Sequence, residues 1–273
     1  MQAKLVHLRR IVRELESAVV ALSGGVDSTL VARVAADELG DRALAVIGES
    51  ATLPEKEKQE AIQLAKTIGI RWRVIRTEET DNLKFRSNPA DRCYFCKNEL
   101  FEKLRRIADS EGYRWVVDGT NADDVGDYRP GLRANREWNV RSPLREAGFG
   151  KQDIRAAAKE LGLPNWDKPS MPCLSSRFPY GQPIDVQALR QVEKAEAFLR
   201  ERGLRECRVR HFGDTARIEI EISKLRMLLD DDFRNDLIAH FKSLGYIYIT
   251  LDLEGFRSGS LNAVLNRKQA GQQ

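Results

Sequence analysis

The sequence predicts an α/β fold: a doubly wound parallel sheet followed by a smaller α+β domain. Three observations predict it. Short apolar runs alternate with helical patterns as far as residue 161, as in parallel strands joined by crossover helices. A glycine-rich turn directly follows the first apolar run and opens a helical pattern, the place where open α/β sheets bind ligands. Pro164, Pro169, Pro172, Pro179 and Pro183 then interrupt the alternation, because proline fits neither a helix interior nor a central strand.

Residues 3–16 carry Leu5, Leu8, Ile11, Val12 and Leu15 at helical spacing and predict an amphipathic helix. Residues 18–22 predict a buried strand and 26–39 a helix ended by Gly40. A second strand over 43–47, a helix over 54–68 ended by Gly69 and a third strand over 72–75 follow. Next come a helix over 91–108, a fourth strand over 114–117 and a helix over 150–161. Beyond the prolines we expect a helix over 185–202, strands over 205–212 and 214–222, helical residues 223–243 and a strand over 246–251. The expected domains are 1–162, the proline-rich connector 163–184 and the small domain 185–273. The connector is rich in reactive side chains and is expected to belong to the active site.

The chain has 273 residues, enough for one large domain or two smaller ones. With 42% apolar residues it is globular in composition. No run of about 18 apolar residues occurs, so no transmembrane helix is expected. The first residues are charged throughout without an apolar core, so no secretory signal is expected and the cytoplasm is the expected compartment. A net charge of +4 suits an anionic small molecule and argues against nucleic acid. Four cysteines are too few for a disulfide scaffold.

Residues 23–28 read Ser-Gly-Gly-Val-Asp-Ser. Gly24 and Gly25 let the backbone turn tightly and turn its N–H groups outward. The helix that follows aims its unpaired N–H groups at the same spot. Ser23 and Ser28 add hydroxyls, completing a phosphate cradle. The GK[ST] ending of a Walker A loop and the G-x-G-x-x-G fingerprint are both missing. Asp27 would repel a phosphate unless a cation lay between them, which implies Mg²⁺. The plain alternative is a glycine turn with an acid near a helix start.

Cys93 and Cys96 form C-Y-F-C, and Cys173 lies far away in P-C-L-S-S-R. Cys207 alternates with Val209 and His211 on one strand face, so it is expected to face a core. The other three cysteines admit a redox dithiol, a zinc site, an iron–sulfur cluster on three thiolates, or two partly buried thiols on one helix. A cluster on three thiolates would leave one iron open to an exogenous sulfide. His7, His211 and His240 carry no motif and are expected to be structural or exposed.

The SGGVDS turn resembles the PP-loop of ATP pyrophosphatases. With D-G-T-N-A-D-D (118–124), D-Y-R-P-G (127–131), S-S-R-F-P-Y-G (175–181) and L-D-L-E-G-F-R-S-G (251–259), the chain resembles the LarE family from about residue 10 to 265. That family comprises the pyridinium biscarboxylate mononucleotide sulfurtransferases of nickel-pincer cofactor biosynthesis. The resemblance implies a Rossmann-like PP-loop ATPase domain and a two-step reaction. ATP adenylylates a carboxylate of the mononucleotide, releasing pyrophosphate; sulfur then displaces AMP to give a thiocarboxylate. In one branch a single cysteine, matching Cys173, gives up its sulfur and becomes dehydroalanine. Another branch has three cysteines and is associated with a [4Fe-4S] cluster. Cys93, Cys96 and Cys173 place this chain with the second branch. The resemblance also implies a sulfide donor and a homo-oligomer, hexameric in the family.

Further candidates follow from the resemblance. Arg177, Arg208, Arg210 and Arg257 match or adjoin the family's phosphate-binding surface, with Ser176 as a hydroxyl donor; the alternative for each arginine is a solvated face. Glu196 resembles a family acid near a bound metal, against an ordinary exposed helix residue. Asp118, Gly119 and Thr120 end the fourth strand and are expected to border the nucleotide, and Gly48 to let adenosine approach the backbone. Two other functions compete: a PP-loop tRNA thiolase, which would want a broad basic surface, and a non-catalytic nucleotide- or zinc-binding module.

Overall fold

The computed structural model describes residues 2–126, 130–257 and 260–262. Residues 127–129 and 258–259, parts of two of the family-like segments, lie outside the described residues, as does 263–273. The chain divides into two compact units, Met1–Phe85 with Ala90–Met171 and Arg86–Pro89 with Pro172–Gln273.

The first unit runs α1 (Gln2–Glu14), β1 (Ala18–Ala21), α2 (Val26–Leu39), β2 (Ala43–Glu49), α3 (Glu55–Ile68) and β3 (Arg71–Arg76). A single turn, α4 (Leu83–Arg86), leads into the short excursion to the second unit. Then follow α5 (Arg92–Glu111), β4 (Trp115–Val117), α6 (Gly131–Glu137), α7 (Pro143–Glu146) and α8 (Lys151–Glu160). The four strands form a wholly parallel sheet in the order β3-β2-β1-β4. Ala18, Val20, Ala43, Ala45, Ile47 and Val117 pack with α1, α2 and α8 in one core. Val19, Leu44, Val46 and Val116 pack with α5 and α6 in another. The period-two alternation thus buries both faces, as expected of a doubly wound sheet.

From β1 the chain moves outward through β2 to β3, then returns to β4 on the other side of β1. The strand order therefore reverses at β1, and the carboxyl end of such a strand is where open α/β sheets bind ligands.

The second unit contains α9 (Val186–Glu201), β5 (Cys207–Phe212), β6 (Thr215–Ile220), α10 (Asp231–Ser243) and β7 (Tyr248–Leu251). β5 and β6 are antiparallel, and β6 and β7 parallel around the α10 crossover. Ala195, Phe198 and Leu199 of α9 and Leu237 and Phe241 of α10 share its core with Cys207, Val209, Ile218 and Ile220. Residues 86–89 strap this unit: Ile184 N–H donates to Arg86 C=O (2.8 Å), and Gly181 N–H to Asn88 C=O (2.9 Å). The Asn88 amide donates to Phe178 and Pro179 C=O at 3.3 and 2.8 Å.

The expected helical run over 223–243 is two pieces. Residues Ile222–Leu229 form a 3-10 helix, and the Asp230 carboxylate caps α10 by accepting from Phe233 N–H (2.9 Å). The short α6 and α7 went unpredicted. No described helix is long and apolar enough to cross a membrane.

Candidate active site

In the first unit the Ser23–Ser28 turn carries the chain from β1 into α2. Gly24 takes φ +76, which a side chain rarely tolerates, and an added Cβ would stand 3.1 Å from that of Ala61. Gly25 is the N-cap of α2 and supplies no side-chain acceptor. The first N–H groups of α2 are thus left for an anion. Ser28 Oγ donates to Gly25 C=O (3.1 Å), accepts from Ser23 N–H (3.2 Å) and lies 3.0 Å from Ser23 Oγ. Buried Asn165 braces the turn through Gly24 C=O (3.2 Å) and Thr29 Oγ1 (3.0 Å). Its own Oδ1 has no partner among the described residues.

Gly119, after β4, lies directly against this helix start: a Cβ there would come within 2.7 Å of the Ser28 amide nitrogen. Such an approach admits only glycine. The adjacent Asp118 carboxylate is buried and accepts from Thr120 Oγ1 (2.6 Å), Asn135 Nδ2 (2.8 Å) and Ser142 Oγ (2.8 Å). Burial alone would raise its pKa; the Lys97 ammonium at 3.3 Å and these hydrogen bonds outweigh burial and hold it below the ordinary value. At Gly48 the space for a Cβ is bounded by Leu100 (3.2 Å) and Thr77 (3.5 Å). Side-chain packing therefore already accounts for that glycine.

Asp27 lies in the first turn of α2. Lys151 Nζ stands 2.7 and 2.6 Å from its two oxygens, and Asn121 Nδ2 donates to Oδ2 at 2.9 Å. Neither Lys151 nor Lys97 was singled out from the sequence. Each sits on a helix whose approach to the turn only the tertiary fold reveals. Lys97 directly follows Cys96, the nearest thing to a sequence signal. Cys93 is exposed and Cys96 half-buried, one turn apart at the start of α5.

The remaining candidates belong to the second unit. Cys173, half-buried, precedes the 3-10 turn Leu174–Arg177. Its carbonyl accepts from Ser176 Oγ (2.8 Å) and Arg177 Nη1 (3.0 Å). Arg177 is fully buried and grips Glu196 bidentately at 2.7 and 2.8 Å, while Nη1 also reaches Pro172 C=O (2.7 Å) and Ser176 Oγ (2.9 Å). Its donors are spent on bracing the Cys173 turn, which differs from the expected presentation to substrate.

Glu196 differs from both of its sequence readings. It is 0% exposed, and its oxygens also take Val209 N–H (3.1 Å) and the Arg200 guanidinium. A metal ion would have to displace these partners, so the residue is a buried counter-ion in this structure. Burial pushes its pKa up, but the charges of Arg177 and Arg200 reverse this and hold it below the ordinary range.

Arg208 and Arg210 share the β5 face opposite Cys207 and Val209, as the alternation predicted, but both are buried. Arg210 pairs with Glu219 at 2.9 and 2.8 Å and donates to Ser176 C=O at 2.6 Å. Arg208 donates to Cys207 C=O (2.7 Å) and stands over the Phe256 ring at 4.9 Å. It makes no salt bridge among the described residues. Burial, aided by the charge of Arg177, pushes its pKa down to about 10. Arg257 is exposed and pairs with Glu254 at 2.7 Å. Cys207 is buried as expected, and burial pushes its thiol up to about 12. His211 and His240 pack against Tyr246 and Phe198, and His7 is exposed.

Cys93 and Cys96 thus fall in one unit and Cys173 in the other. Among the described residues, no group of three or more His, Cys, Asp and Glu side chains stands ready to share a metal ion.

A family profile described as NAD synthase matches residues 2–108, which hold the Ser23–Ser28 turn. A pyridinium-3,5-bisthiocarboxylic acid mononucleotide synthase of Lactiplantibacillus plantarum is 38% identical over 270 residues, covering 98% of this chain and 97% of its own. An uncharacterised protein of Synechocystis is 45% identical over 98% of this chain and its full length. A glutamine-hydrolysing GMP synthase of Aeropyrum pernix is 30% identical over 67% of this chain but only 39% of its own length.

Proposed function

Since the chain belongs to the family of the pyridinium-3,5-bisthiocarboxylic acid mononucleotide synthases, we propose that it is an ATP-dependent sulfurtransferase of nickel-pincer nucleotide cofactor biosynthesis. Its substrate is a pyridinium mononucleotide carboxylate. The observation that carries the ATP half is the bare α2 N-terminus behind Ser23, Gly24 and Gly25, with Gly119 pressed against it. Ser23 and Ser28 add hydroxyls there. A single carboxylate beside phosphate oxygens is a donor set that suits Mg²⁺, so Asp27 would be its protein ligand.

A carboxylate oxygen is a poor leaving group. Attack of the substrate carboxylate on the α-phosphorus makes an acyl-AMP and expels pyrophosphate. A sulfur nucleophile then attacks the acyl carbon, and AMP leaves with the bonding electron pair. For the anionic substrate, the buried, carboxylate-free Arg208 supports an anion-binding role. Arg210, Ser176 and exposed Arg257 complete the proposed set, and Arg177 with Glu196 positions the Cys173 turn.

Cys93, Cys96 and Cys173 are the proposed thiolate ligands of a [4Fe-4S] cluster. Two of them lie one helical turn apart, and all three have some solvent exposure. Such a cluster would supply an open iron site for exogenous sulfide. The working form is proposed to be a cytoplasmic homo-oligomer served by a separate sulfide donor.

The test is to incubate anaerobically reconstituted protein with ATP, Mg²⁺, sulfide and the biscarboxylate mononucleotide. AMP, pyrophosphate and the mass shift of an oxygen-to-sulfur exchange are expected; their absence rejects the reading. Iron and sulfide counts test the cluster separately. Cys96→Ala should abolish iron binding, and iron retained through single changes at all three cysteines rejects the assignment.

A further inference from the structure

We propose that Lys151 is a phosphate-exchange cation: Asp27 holds it until the nucleotide arrives, and it then binds the phosphates that leave as pyrophosphate. This deepens the ATP half of the proposed function and rests on it.

The geometry carries the inference. Lys151 Nζ lies 2.7 and 2.6 Å from the Asp27 oxygens, beside the helix start that cradles phosphate. Asp27 is fixed on its other side by Asn121 at 2.9 Å. Beyond the Asp27 pair, the lysine is held at its root, where its N–H donates to Asp123 Oδ2 at 2.7 Å as α8 begins. Its side chain is 48% exposed against 18% for Asp27, so the ammonium is the partner able to swing away.

The chemistry gives that swing a purpose. A divalent cation arriving with ATP competes for the Asp27 carboxylate and loosens its hold on the ammonium. The freed ammonium then turns to the phosphate oxygens at the α2 N-terminus, in competition with the Asp123 carboxylate at its root. When the substrate oxygen bonds to the α-phosphorus, the bond from that phosphorus to the α–β bridging oxygen breaks. The bridging oxygen keeps the electron pair, and the departing pyrophosphate gains negative charge. An ammonium placed beside it stabilises that charge as it develops. AMP lacks those phosphates, so the contribution of Lys151 depends on the ligand's phosphate count.

Calorimetry on the full chain with Mg²⁺ and pyrophosphate, ATP or AMP tests this. Lys151→Ala should weaken pyrophosphate at least about tenfold, leave AMP within about twofold, and slow substrate-dependent ATP–pyrophosphate exchange about a hundredfold. Lys151→Arg should restore most of the pyrophosphate affinity. Lys4→Ala, which removes the 2.7 Å Lys4–Asp153 contact at the same helix start, should leave that affinity unchanged. Unaltered pyrophosphate binding in Lys151→Ala, or equal losses for AMP and pyrophosphate, overturns the proposal while the function reading stands. Wild-type protein that binds no ATP overturns the reading itself.

Discussion

Arg177 and Glu196 form the most enclosed ion pair among the described residues of the second unit, with both side chains 0% exposed. Breaking such a pair leaves an uncompensated buried charge, which costs about 3–5 kcal/mol. Glu196→Gln should therefore lower stability by about that amount in chemical denaturation and loosen the Cys173 turn that Arg177 holds. The carboxyl's folded-state pKa lies below the ordinary 4.5. Its contribution is accordingly full above that value and lost as pH falls through the folded one. Acid titration of stability should be shallower in Glu196→Gln than in the wild type; equal slopes would contradict this linkage. None of it was legible in the sequence, where Glu196 and Arg177 are far apart and charged residues default to the surface. The Ser23–Ser28 turn was legible because glycines, hydroxyls and an acid sit together between a strand and a helix. Lys151 was not: its approach to Asp27 spans most of the first unit's sequence.

Elements read well where apolar periodicity is continuous. The helix over 26–39 is found as predicted, and every strand of the parallel sheet appears within two residues of its expected ends. Periodicity fails where a polar side chain competes for the backbone. Asp230 lies inside an apolar-periodic stretch, yet its carboxylate takes the Phe233 N–H and starts a new helix. Asp230→Ala should then cost about 1 kcal/mol of α10 stability, read as a lower thermal midpoint. Asp230→Asn, which can still accept that hydrogen bond, should retain most of the midpoint. The short α6 and α7 offer too few residues for a period to show.

Each unit of the whole molecule has its own apolar core. Trp72, Trp115, Trp138 and Trp166 all belong to the first unit, so indole fluorescence reports that unit alone, whereas circular dichroism sees both. Asn88, at φ +52, ties the strap to residues 178 and 179 of the second unit. Asn88→Ala should lower the dichroism midpoint through about 1–3 kcal/mol of lost hydrogen bonding and leave the fluorescence midpoint in place; coincident shifts would mean that the units melt as one. The strap also bears on synthesis. Arg86–Pro89 emerges from the ribosome long before the segment it will embrace. A gene split at residue 172 would give a downstream product missing a piece of itself, and an independently expressed second unit must have those four residues grafted back.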